Sequence, residues 1–132
     1  MTGELAGTRV LVVDSNPRSL ELLAAALLDS GFNVRTASSL AEALDEARRR
    51  PPTLVLSDAE MPDLGGLDLC AALRQEPELA AIPIVLLSAR GARPRERAGN
   101  AASGGSIVGI ADYLPKPVDL PGLVGVLRRL SA

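Results

Sequence analysis

Five short strand-like runs, most of them apolar, alternate with helix-like or turn-rich segments, and that alternation leaves this chain few ways to fold. Arg9 to Val13, Asn33 to Ala37, Thr53 to Ser57, Ile82 to Leu87 and part of Ile107 to Leu114 read as strands. Between and after them, apolar residues recur at helical spacing. The stripes are Leu20, Leu23, Ala24, Leu27 and Leu28; Leu40, Ala43, Leu44 and Ala47; Leu67, Cys70, Ala71 and Leu73; and Leu120, Leu123, Val124, Leu127 and Leu130. Such alternation predicts an α/β domain with a parallel sheet covered on both faces.

Punctuation residues support the division. Asn16 before Pro17 reads as an N-cap followed by proline at the first helical position. Gly31 closes that helix. Ser39 with Glu42 matches a capping box, and Pro51-Pro52 stops the second helix.

A chain of 132 residues fits one domain. It is 47% hydrophobic and only 2% aromatic, so its core must come from Leu, Val, Ile and Ala. A net charge of −2 provides no basic field for nucleic acid. Arg48-Arg49-Arg50 reads as the last turn of a helix, where cations suit the dipole. No apolar run approaches the ~20 residues that span a bilayer. Met1 to Thr8 lacks the features of a signal peptide. Cys70 is the single cysteine, which excludes an internal disulfide and agrees with a cytoplasmic location. The chain has no histidine. That excludes Ser-His-Asp and Cys-His catalysis, His-ligated zinc and a phosphohistidine carrier role.

Four polar residues follow or end four of the strand-like runs: Asp14, Asp58, Ser88 and Lys116. In an open parallel sheet the carboxyl ends of the strands line the crevice where ligands bind. Lys116 is the only lysine among 14 basic residues, a compact ammonium in a chain that otherwise uses arginine. Two carboxylates suit Mg²⁺, which prefers oxygen ligands and keeps several waters. A carboxylate nucleophile can form an aspartyl-phosphate. The ammonium, the hydroxyl and the metal would then hold the three phosphoryl oxygens. Taken singly, each has an ordinary reading as a cap, loop or strand-end residue; the joint placement carries the argument.

With these residues in view, the chain resembles the receiver domains of bacterial two-component response regulators, from about Arg9 to Leu130. Val12-Val13-Asp14, Asp58 through Met61-Pro62 to Gly66, Leu87-Ser88-Ala89 and Tyr113-Leu114-Pro115-Lys116-Pro117 carry the likeness. It implies a flavodoxin-like doubly wound fold with strand order 2-1-3-4-5. It implies that Asp58 accepts a phosphoryl group from a sensor histidine kinase or histidine phosphotransfer protein. Asp14, Asp58 and the backbone carbonyl of Glu60 would hold Mg²⁺, and Ser88 and Lys116 would contact the phosphoryl oxygens. Ser88 and Tyr113 would form the switch, and the Lys116–Pro117 bond would be cis. On this reading the domain is no enzyme beyond assisting its own phosphorylation and dephosphorylation. It would pass its signal to an unknown downstream protein, with no direct nucleic-acid or membrane partner. Residues 1–132 would be a single receiver domain without an output domain, either stand-alone or cut from a larger protein.

Two departures from the family's pattern stand out. Ser15 occupies a position that is usually acidic, which predicts weaker Mg²⁺ binding, through the hydroxyl or a water. The interval from Ser88 to Lys116 is long and holds Gly99, Gly104 and Gly105. At about 1 kcal/mol each in a helix interior, these glycines predict a short or missing fourth helical segment and mobility across 99–106. Glu60 and Arg90, each two residues past a site position, are candidates for tuning phosphate lifetime. The alternative reading is a pseudo-receiver that binds partners without phosphorylation. A haloacid-dehalogenase-type phosphatase fits less well, because Asp14-Ser15-Asn16 lacks that family's second aspartate.

Overall fold

Alternate residues of Val10 to Val13 enter two separate cores, which explains why this run is apolar throughout and not polar at every second position. Val10 and Val12 join one cluster with Leu23, Leu27, Leu54, Leu56, Leu123 and Leu127. Leu11 and Val13 join the other with Ala43, Ala47, Val55, Leu69 and Leu73. The computed structural model describes residues 8–59, 66–88 and 110–131, apart from the side chains of 66–68, 110, 111 and 113. Within these stretches β1 (Arg9–Val13), β2 (Asn33–Ala37), β3 (Leu54–Asp58), β4 (Ile84–Ser88) and β5 (Ile110–Pro115) form one parallel sheet, ordered β2-β1-β3-β4-β5. Helices α1 (Pro17–Asp29) and α4 (Leu120–Ser131) cover one face, and α2 (Leu40–Arg49) and α3 (Gly66–Arg74) the other. This is the doubly wound α/β arrangement expected from the sequence.

The helix ends follow their capping residues. Asn16 Oδ1 accepts the backbone N–H groups of Arg18 at 2.9 Å and Ser19 at 3.2 Å, starting α1 at Pro17. Gly31, at φ 103°, turns the chain out of α1 in a conformation open to glycine. Ser39 Oγ caps α2 by accepting the Glu42 N–H at 3.1 Å. The return bond differs from a capping box: Glu42 Oε1 accepts from the N–H of Ser38, not Ser39, at 2.6 Å. Arg50, forced extended ahead of Pro51, ends α2. Arg48 then forks onto Glu76 with contacts of 2.6 to 3.1 Å, tying α2 to the turn after α3.

Several expected positions are corrected. Leu28 and Leu120, read as stripe residues, are 56% and 42% exposed. In α3, Leu69 is buried in place of Ala71, because nine residues rich in apolar side chains fit more than one stripe. The third and fourth strands run one or two residues later than expected, so Asp58 and Ser88 end their strands. Leu79 to Ile82 forms a turn, with the Ile82 N–H on the Leu79 carbonyl, before the strand proper begins. The expected failure of a fourth helical segment, and the mobility of 99–106, lie outside the described residues.

Candidate functional site

Strand register brings the site residues to one edge. Val13 pairs with Ser57, and Asp58 with Leu87, so Asp14, Asp58 and Ser88 emerge together at the carboxyl end of the sheet. The backbone N–H of Lys116 donates to the Ser88 carbonyl at 2.9 Å, which pins the residue after β5 to the end of β4. From there the ammonium reaches across, and Lys116 Nζ donates to Asp58 Oδ1 at 3.0 Å. The Lys116–Pro117 bond is cis.

Asp14 is held from two sides. Its N–H donates to the Ala37 carbonyl at 3.1 Å, and its Oδ1 accepts the Asn16 N–H at 2.9 Å. Because Asn16 caps α1, the carboxylate, the turn and the helix start form one hydrogen-bonded unit. Asp14 is 2% exposed, Asp58 6% and Ser88 0%. Burial pushes the Asp14 carboxyl above its usual value; the Asn16 N–H opposes this, the Asp58 charge adds to it, and the Lys116 ammonium offsets it. Among the described residues, two buried carboxylates stand here against one ammonium.

The structure therefore gathers Asp14, Asp58 and Lys116, and sets Ser88 against the Lys116 backbone. Ser15 is half-buried between Asp14 and the Asn16 cap. Glu60, Arg90 and the side chain of Tyr113 lie outside the described residues; the Tyr113 backbone pairs with Leu86 in β5. Among the described residues, no group of three or more acidic, Cys or His side chains gathers to hold a metal.

A feature absent from the sequence reading adjoins these residues. A groove of about 320 Å³ opens from Asp14 and Lys116 along Ser19, Leu22, Leu23, Pro117, Val118 and Leu120. Leu22 is 66% exposed on its rim. Its signal in the sequence was a leucine off the α1 stripe, which by itself is ordinary on a protein surface.

Comparison with known proteins places this geometry. Residues 10–128 match the family model of the response regulator receiver domain. The probable transcriptional regulatory protein TcrX of Mycobacterium tuberculosis is 37% identical over 121 residues, covering 92% of this chain and 48% of TcrX. The chain thus spans about half the length of that relative. An uncharacterised 14.6 kDa protein of Leptolyngbya boryana is 35% identical and is covered to 91% of its length, as is 95% of this chain. Among solved structures, the chemotaxis protein CheY4 of Vibrio cholerae superposes with a TM-score of 0.81 at 28% identity, covering 93% of this chain and 98% of CheY4. A putative response regulator from Chloroflexus aurantiacus gives 0.79 at 31% identity, covering 94% of this chain and 97% of that one. Parallel sheet, strand order, strand-end carboxylates and sequence match agree: the chain belongs to the response regulator receiver domains of two-component signalling.

Proposed function

We propose that this domain is a phosphoacceptor in a two-component relay and that Asp58 takes the phosphoryl group. The observation carrying this reading is the 3.0 Å contact between Lys116 Nζ and the Asp58 carboxylate, beside a second buried carboxylate. An oxygen of Asp58 attacks phosphorus, the new P–O bond forms, and the P–N bond to the donor imidazole breaks. The imidazole leaves with the electron pair and takes up a proton. Lys116 stands where it can follow the charge from carboxylate to phosphoryl oxygen. Ser88, at the end of the adjacent strand, would offer its hydroxyl to another of those oxygens.

The residues fit Mg²⁺. Asp14 and Asp58 are oxygen donors of the kind it prefers, and two buried carboxylates beside the single Lys116 ammonium suit a cation. Bound there, Mg²⁺ would neutralise charge on the transferred group. Ser15 supplies no carboxylate, so two acidic side chains carry the metal and its affinity is modest.

The donor is a histidine-phosphate on a partner protein, a sensor kinase or phosphotransfer protein. The apolar groove beside Lys116 offers that partner a footing next to the reacting carboxylate. The phosphorylated state then changes contacts with a downstream protein. Incubation with Mg²⁺ and acetyl phosphate should give a labelled protein whose phosphate hydroxylamine releases, the signature of an acyl phosphate. Label that resists hydroxylamine would overturn the assignment to a carboxylate.

A further inference from the structure

The pole of the sheet opposite Asp58 carries a second charged cluster that the relay does not use. Arg9 begins β1 and Asn33 begins β2, whereas Asp14 follows the far end of β1 and Asp58 ends the parallel strand β3 at that same far edge. A cleft of about 400 Å³ is lined there by Arg9, Asn33, Val34, Arg35 and Arg50. It adjoins a narrower recess that shares the three arginines and adds Glu46. Among the described residues lining the two, three guanidiniums stand against one carboxylate, a charge of +2, in a chain whose net charge is −2.

Internal contacts occupy only part of the donors of the three arginines. Arg9 spends Nε and Nη2 on the Pro51 carbonyl, at 3.3 and 2.8 Å. Arg35 Nη1 lies 3.7 Å from Glu46 Oε1, an ion pair beyond hydrogen-bond length. Glu46 turns its other oxygen to Arg49 at 3.3 Å. Arg50 caps α2 with its backbone N–H alone, bonded to the Glu46 carbonyl. Offsetting the α2 dipole accounts for cations on the last turn of that helix, but Arg9 and Arg35 come from strands.

We propose that this cleft binds a small ligand carrying two adjacent anionic groups, of the diphosphate class. Guanidinium forks from Arg35 and Arg50 would each take one group. Forked, multiply charged recognition favours a diphosphate over a single-charge anion. The site lies apart from Asp58, so a ligand here and a phosphoryl group there are separable.

The test is a titration of the full chain with inorganic pyrophosphate, followed by amide NMR, with orthophosphate, sulfate and an oligoglutamate peptide in parallel. Lys116→Ala is used as background, so that anion binding at the acceptor site does not intrude. Pyrophosphate should shift the amides of residues 33–35 and 50 saturably, and orthophosphate should do so at least about tenfold more weakly. Arg35→Ala with Arg50→Ala should weaken pyrophosphate by about tenfold or more while the rest of the spectrum holds. Should that double variant not fold, Arg35→Gln alone should show the same loss. Equal shifts by sulfate, tighter binding of oligoglutamate, or unchanged binding in the variants would each overturn the proposal.

Discussion

Asp14 meets two opposed demands. On the proposed function, its carboxylate is buried facing the acceptor and would have to stay charged to hold a cation. The fold answers with one backbone N–H, from Asn16, and a shared ammonium, and the proton affinity of Asp14 remains raised. The sign follows from linkage. The folded chain binds this proton more tightly than the unfolded chain, whose reference value is 3.8. The favourable contribution of Asp14 is therefore complete below that value and lost as pH rises through the raised one. Asp14→Asn, which keeps an oxygen for the Asn16 N–H, should melt higher than the parent near about pH 7, with the gap closing toward about pH 4. Thermal melts across that range check it; a gap independent of pH would contradict it. Lys116 makes a separate demand, for compactness. Lys116→Arg keeps the charge but brings a planar fork, and phosphorylation by a small donor should slow by at least about tenfold. A single-turnover time course reads this directly.

At the scale of elements, capping was legible in the sequence and facing was only partly so. Asn16-Pro17, Ser39 and Pro51 act through local backbone chemistry, which neighbours in sequence determine. Asn16→Ala should cost about 1 kcal/mol in chemical denaturation. Facing is a tertiary matter. Leu27 and Leu28 are adjacent leucines on α1, yet Leu27 is enclosed between helix and sheet while Leu28 faces solvent. Leu27→Ala should cost about 2–5 kcal/mol, and Leu28→Ala should stay within about 0.5 kcal/mol. Similar losses at both positions would mean that the helix face is misassigned. Leu22 was not legible in the sequence for the same reason, since its value lies in the groove completed by the segment after β5 and the start of α4. Leu22→Asp should slow transfer from a histidine-phosphate protein while leaving a small donor unaffected; equal slowing of both would show that the groove is not the partner's footing.

Across the whole molecule, the sheet does what no local segment can. Asp14 and Lys116 are far apart in the chain, and only strand order and register bring them to one crevice. The sequence showed the strand ends, because apolar runs stop at polar residues. It did not show the Asp58–Lys116 contact or the arginine cleft at the opposite pole, which depend on side chains meeting across strands, nor the local bond from the Asn16 N–H to Asp14. No described helix is long and apolar enough to cross a membrane. The account as a whole rests on one acceptor atom. The direct measurement is intact mass after incubation with Mg²⁺ and a small phosphodonor, for the parent chain and for Asp58→Asn. The account predicts a gain of one phosphate in the parent and none in Asp58→Asn; no gain in the parent, or an equal gain in both, would contradict it.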